Sequence, residues 1–156
     1  MSKSLNRVKS ALEAAGLTAD VREMEATTRT AEDAARAIGC EVDQIAKSII
    51  FRGEESGHVV LFLTAGGNKV DAAKATAVAG QKLGKADANQ IRTETGFAIG
   101  GVAPVGHLTE IAAYFDPRLQ EFETVWAAAG TPNHVFAIRP AELLRITKAT
   151  AADFTA

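Results

Sequence analysis

Residues 43–52 read DQIAKSIIFR and residues 58–64 read HVVLFLT, with only GEESG between them. Both runs have strand length and strand composition, and so short a connection joins antiparallel neighbours rather than a parallel crossover. A strand sends alternate side chains to opposite faces. Ile45, Lys47, Ile49 and Phe51 therefore share one face of the first run, and Ala46, Ser48, Ile50 and Arg52 share the other. The ammonium of Lys47 thus stands on the more apolar side. A strand-end lysine can snorkel its head to water along its own methylenes. The other reading gives it an anionic partner, such as a phosphate or a carbonyl oxygen gaining charge, because an unpaired buried ammonium is costly.

Working outward, the spacing of Leu5, Val8 and Leu12 predicts an N-terminal helix stopping at Gly16, and Asp20–Met24 fits a short strand. Thr30-Ala31-Glu32-Asp33 opens a helix: a hydroxyl caps the free N–H groups, and acids follow near the positive helix end. Ala31, Ala34, Ala35 and Ile38 give that helix a narrow apolar stripe suited to close packing on a sheet, and Gly39 closes it. Beyond the hairpin, a helix is expected over Val70–Leu83 ending at Gly84, with a shorter one at Asp87–Arg92. Strands are expected at Ile111–Phe115, Thr124–Ala128 and His134–Arg139, with a helical turn at Pro117–Phe122. Pro140 occupies a first-turn position and opens PAELLRITKA as the last helix. Hairpins mixed with helices predict an α+β fold, with a mixed, mostly antiparallel sheet covered by helices.

The totals set outer bounds. The chain has 156 residues, which is one domain, residues 1–156, with a radius of gyration of about 15 Å. It can bury roughly 70% of its unfolded surface, enough for an unstapled core. One cysteine, Cys40, excludes an internal disulfide framework; at a predicted helix end it reads as a small packed thiol rather than a nucleophile. The N-terminal MSKSLNRVKSALEAAG is too charged for a signal-peptide core, and no apolar run reaches the ~20 residues that span a bilayer. The cytoplasm is the expected location, with no membrane partner. A net charge of −2 gives no global attraction to nucleic acid, so DNA is not expected and any RNA contact is local to a pocket.

Several chemistries lack their residues. His58, His107 and His134 are isolated, with neither HxxxH nor CxxC, so no metal site and no cofactor is expected. No GxSxG elbow, GxGxxG or Walker A pattern is present. GGNK, residues 66–69, reads either as an anion site ahead of a helix or as a plain turn and cap. GGVAPVG, Gly100–Gly106, combines glycines that let a ligand approach the backbone with a proline that stiffens the loop. Such a loop can turn N–H groups toward an oxyanion, or be simply a tight turn. GTPNHVFAI places His134, Phe136 and Ile138 on one strand face, where the histidine reads as structural or as a pocket residue.

Taken in order, TAEDAARAIGCEVDQIAKSIIF, HVVLFLTAG, VDAAKATAVAG, TGFAIGGVAPVGH and the closing strand with PAELLRI resemble the YbaK family. This is the aminoacyl-tRNA deacylase, or prolyl-tRNA synthetase-associated editing domain, family. The resemblance spans nearly the whole chain; the lysine strand and the GxxxP loop, Gly100–Pro104, are its most specific parts. It implies a freestanding editing hydrolase acting on mischarged aminoacyl-tRNA, typically a tRNA for proline carrying a wrong small amino acid. It also implies that Lys47 is critical for catalysis, that Gly100, Gly101 and Pro104 line the aminoacyl pocket, and that His134 matches a pocket histidine. The expected partner is the 3′ end of aminoacyl-tRNA. Two other readings stay open beside it: a binding module that holds aminoacyl-tRNA without hydrolysing it, and an interaction domain that docks on a synthetase.

Overall fold

A computed structural model describes residues 3–18, 20–25 and 30–156. Helix α1 (Lys3–Ala14) turns Leu5, Val8 and Leu12 inward, as their spacing requires, and strand β1 (Val21–Glu23) follows it. Helix α2 (Ala31–Ile38) is capped by the Thr30 hydroxyl, which accepts from the Asp33 N–H, and it ends at Gly39 in the left-handed conformation. After a 3₁₀ turn at Val42–Gln44 come β2 (Ala46–Gly53) and β3 (Val59–Ala65), paired antiparallel with Lys47 opposite Thr64 and Phe51 opposite Val60. Helix α3 (Ala72–Ala79), strand β4 (Leu83–Lys85) and helix α4 (Ala88–Thr95) lead into the glycine loop. Strand β5 (Ala112–Phe115), a 3₁₀ turn (Pro117–Glu121), β6 (Val125–Ala128), β7 (His134–Ile138), helix α5 (Pro140–Thr147) and β8 (Thr150–Ala151) complete the order.

The strands form two sheets. β1, β7 and β6 make an antiparallel three-stranded sheet, and the larger sheet runs β4-β2-β3-β5-β8. Within the larger sheet β2 pairs antiparallel with β3 and β4, whereas β3–β5 and β5–β8 are parallel. The mostly antiparallel α+β character holds, and a parallel bridge from Ile45 to Trp126 joins the two sheets. β3 is buried along its whole length, VVLFLTA, because both of its faces are covered. Val59, Leu61, Leu63 and Ala65 pack in the main core with Leu5, Val8, Leu12, Phe97, Phe115 and Phe136. Val60 and Phe62 face Ala75 of α3 and Phe154, with the Phe62 and Phe154 rings edge to face at 4.9 Å. Ile49 and Phe51 of β2 join this second cluster, so Lys47 shares its face. The alanine stripe of α2 packs on Ile45, Trp126 and Val135, close against the smaller sheet.

The single expected sheet is two, β8 was not expected, and the third helix is shorter than its sequence predicts. The helix expected to reach Leu83 stops at Gly80, which takes φ +72° and donates its N–H to the Thr76 carbonyl. Leu83–Lys85 instead pairs with Gly53, Arg52 and Phe51 of β2. The carboxylate end of Glu54 lies over Gly84, where a Cβ would have to turn that side chain aside. No helix among the described residues is long and apolar enough to cross a membrane.

Candidate functional site

A cavity of about 570 Å³ opens where the two sheets meet, between α2, the first half of β2, the 66–69 turn, the glycine loop and the start of β7. Its walls are mostly apolar, with Ile45, Ile49, Ile91, Val102, Trp126 and Val135 among them. Polar and charged side chains, Glu32, Lys47, Ser48, Lys69, Thr131 and His134 among them, are set into these walls, a mixture that suits a small-molecule site.

Lys47 is half-buried and lines this cavity. Its Nζ donates to the main-chain carbonyl of Asn68 at 2.7 Å. Burial pushes its pKa down from the ordinary lysine value and the Lys69 charge adds to this, while the carboxylates of Glu32, Asp43 and Asp116 pull the other way. The ammonium therefore holds a neutral acceptor and is desolvated in part, which favours an anion arriving from the cavity.

The turn that holds Lys47 is itself clamped. The buried Asp116, at the end of β5, accepts from the Ala65 N–H (3.0 Å) and the Asn68 side-chain amide (2.9 Å) through Oδ2, and from the Arg118 N–H (2.9 Å) through Oδ1. Asp43 accepts from the Gly67 N–H at 2.7 Å and pairs with the Arg118 Nε at 2.9 Å. Gly66 lies against the Val42 carbonyl and the Ala31 side chain, closer than a Cβ would allow. GGNK is thus a turn seating the lysine; helix α3 begins only after its own cap, Asp71, which accepts from the Lys74 N–H.

Gly100 lines the same cavity with φ +95°, and a Cβ there would meet no atom within 4 Å, so the loop faces open space at this residue. The Gly101 N–H donates to the Ala98 carbonyl at 3.1 Å, whereas the Gly100 N–H has no protein partner among the described residues. Gly101 backs onto the chain at Thr131, with the positions of the Thr131 Cα and C 2.9 Å from where its Cβ would stand. Pro104 is buried and borders a second surface cleft, beside Ala11, Ala15 and the end of α5. His134 lines the first cavity from β7, with Nδ1 2.6 Å from the Thr131 hydroxyl and Nε2 3.6 Å from a carboxylate oxygen of Glu23. Of the five residues singled out in sequence, Lys47, Gly100 and His134 meet on one cavity, and Gly101 and Pro104 shape the loop from behind.

Sequence reasoning passed over several cavity residues. The Ser48 hydroxyl is buried with no hydrogen-bond partner among the described residues, and Ser48 lines the cavity beside Lys47; its only signal was a polar residue inside an apolar run. Glu32 and Lys69 also line it, and Thr131 does so as the partner of His134. Cys40 is half-buried and burial pushes its thiol pKa up, which suits a packing role. Among the described residues no group of three His, Cys, Asp or Glu is placed to hold a metal ion.

A family model described as "Aminoacyl-tRNA editing domain" matches residues 25–146. The uncharacterized protein YwhH of Bacillus subtilis is 39% identical over 124 residues, covering 80% of this chain and 78% of that protein. The Enterococcus faecalis protein named "Putative Cys-tRNA(Pro)/Cys-tRNA(Cys) deacylase EbsC" is 24% identical over 127 residues, covering 81% and 77%. A crystal structure described as that of "a putative trans-editing enzyme for prolyl tRNA synthetase" superposes with a TM-score of 0.92 at 48% identity, covering 100% of this chain and 99% of that one. The ordered lysine strand, helix and glycine loop, the cavity they enclose and these matches agree: the chain belongs to the aminoacyl-tRNA editing domain family.

Proposed function

We propose that the protein is a trans-editing hydrolase that deacylates mischarged aminoacyl-tRNA, with a tRNA for proline carrying a wrong small amino acid as its substrate. One observation carries the reading: a half-buried ammonium on a neutral carbonyl and an uncommitted backbone N–H at a positive-φ glycine line one cavity. Relatives named for Cys-tRNA deacylation and for prolyl-tRNA synthetase trans-editing support it.

An aminoacyl ester is already activated, so positioning and charge stabilisation suffice and no covalent intermediate is required. In this mechanism Lys47 takes a phosphate or ribose oxygen of the terminal adenosine and fixes the ester over the glycine loop. Water adds to the ester carbonyl, its oxygen becomes an oxyanion facing the Gly100 N–H, and the ribose oxygen then leaves with a proton. One well-aimed donor of this kind contributes about 10²–10³ in rate. The attacking water is oriented by the substrate's own ribose hydroxyl or amine. His134 and Thr131, which line the same cavity, take part in selecting the side chain. Gly101 and Pro104 hold the loop in shape.

Purified protein assayed against a matrix of mischarged tRNAs, in single turnover, tests the reading. Release of a wrong amino acid from tRNA for proline by the wild type, lost in folded Lys47→Ala, is the expected result. A wild-type protein that shifts the mobility of the RNA without releasing amino acid is a binding module, and the hydrolytic reading then fails. A Lys47→Ala variant that turns over like the wild type removes Lys47 from the mechanism.

A further inference from the structure

The charged groups of the cavity are arranged unevenly. Glu32, in the first turn of α2, is the sole carboxylate among the described residues that line it, against two ammonium groups, Lys47 and Lys69. Every neighbouring acid is already engaged. The Asp33 carboxylate pairs with Arg36, while its main-chain N–H donates to the Thr30 cap. Asp43 holds Gly67 and Arg118, and Asp116 holds three donors. Glu32 makes no hydrogen bond and no ion pair among the described residues, and it is solvent-exposed at the cavity edge. It lies near enough to Lys47 to be the largest carboxylate influence on that ammonium, yet the two are not joined as a pair.

A carboxylate and two ammonium groups on one cavity fit a ligand carrying the complementary charges a few bonds apart. The 3′ end of an aminoacyl-tRNA is such a ligand, with a cationic α-ammonium on the ester side and anionic phosphate on the nucleotide side. We propose that Glu32 receives the substrate's α-ammonium group, so that the cavity reads a free α-amine as well as a side chain. The proposal rests on the deacylase reading above and deepens it. It has a chemical consequence: an amine held as an ammonium by Glu32 has no lone pair to take a proton from water. Orientation of the attacking water then falls to the ribose hydroxyl. It also separates the substrate from N-blocked esters such as peptidyl-tRNA, which carry no cation at that position.

The test pairs two substrates with two proteins. The aminoacyl-tRNA for proline that the wild type turns over fastest is compared with its α-hydroxyacyl counterpart, made by deaminating it, which differs only by the ammonium. Glu32→Gln is expected to lower kcat/KM about tenfold on the aminoacyl ester, the size of one lost charge-assisted hydrogen bond. On the hydroxyacyl ester the change should stay within about twofold, because no ammonium is there to lose. Glu32→Asp should recover part of the loss. Equal losses on both esters, or no loss on either, overturn the assignment while leaving the deacylase reading in place. Absence of hydrolysis of every aminoacyl ester by the wild type brings down the deacylase reading, and this one with it.

Discussion

Removing the Asp116 carboxylate should loosen the seat of Lys47 and cost the fold a calculable amount. Asp116→Ala leaves three donors without their acceptor: the Ala65 N–H, the Asn68 side-chain amide and the Arg118 N–H. Ala65 is fully buried, so its N–H has no water to turn to and carries the full penalty of an unmet buried donor, about 1–3 kcal/mol. Asn68 and Arg118 are partly accessible, so water replaces much of what they lose, at about 0.5–1 kcal/mol each. Relief from burying a carboxylate offsets part of this. The net loss is about 2–4 kcal/mol, which moves a urea midpoint down by about 1–2 M for a protein of this size. Asp116→Asn should lose about half as much, since its amide oxygen can keep the Ala65 N–H while its NH₂ faces Arg118. In the folded fraction of either variant the Asn68 carbonyl is no longer fixed, and single-turnover deacylation should slow together with the loss of stability. A urea midpoint unchanged by Asp116→Ala, or a destabilised variant with an undisturbed deacylation rate, would refute the link from Asp116 through Asn68 to Lys47.

Gly101→Ala places a methyl group 2.9 Å from the Thr131 Cα and C, so either the loop or the Thr131 segment must give way. We expect about 1–3 kcal/mol of destabilisation in a denaturant titration and an altered ranking of amino acids in the mischarged-tRNA matrix; an unaltered ranking would detach this loop from selectivity. Burial pushes the His107 pKa down, the nearby Arg7 charge adds to that, and the bond to the Ala103 carbonyl opposes it. A group with a lowered folded pKa contributes stability above its unfolded value, roughly 6.5, that is lost as pH falls through the folded value. Urea midpoints measured across that acidic window should fall in the wild type and flatten in His107→Gln, and an identical slope in the variant would assign the effect elsewhere.

Much of the chain was legible because local signals and packing agree. Thr30, Gly39 and Pro140 mark helix ends in sequence and hold those places in the structure. HVVLFLT reads as a strand from its length and composition, and β3 lies at the centre of its sheet. β4 was missed because GQKLGK carries no strand pattern; its pairing depends on β2 being there to receive it. β8 is two residues whose strand state comes entirely from β5. The site divides in the same way. Lys47 stood out as a charge in an apolar run, while Glu32 was concealed by its position, since an acid in a first helical turn is already accounted for by the helix dipole.

The pairing pattern around Lys47 leaves it, unlike Arg118, without a carboxylate partner. Asp43 and Asp116 are both close enough to pull on it. An ion pair with either would have to be broken before a phosphate could bind, and that cost would be subtracted from affinity. The fold avoids this by giving Asp43 to Arg118 and the Gly67 N–H, and Asp116 to three neutral amide donors. What remains for Lys47 is a carbonyl, which orients the ammonium without neutralising it. Asp116→Ala therefore threatens two things at once, the position of that carbonyl and the commitment of the surrounding amides. A cation kept in place by a neutral acceptor, with Asp43 and Asp116 committed elsewhere, has no ion pair to break before an anion can enter the cavity.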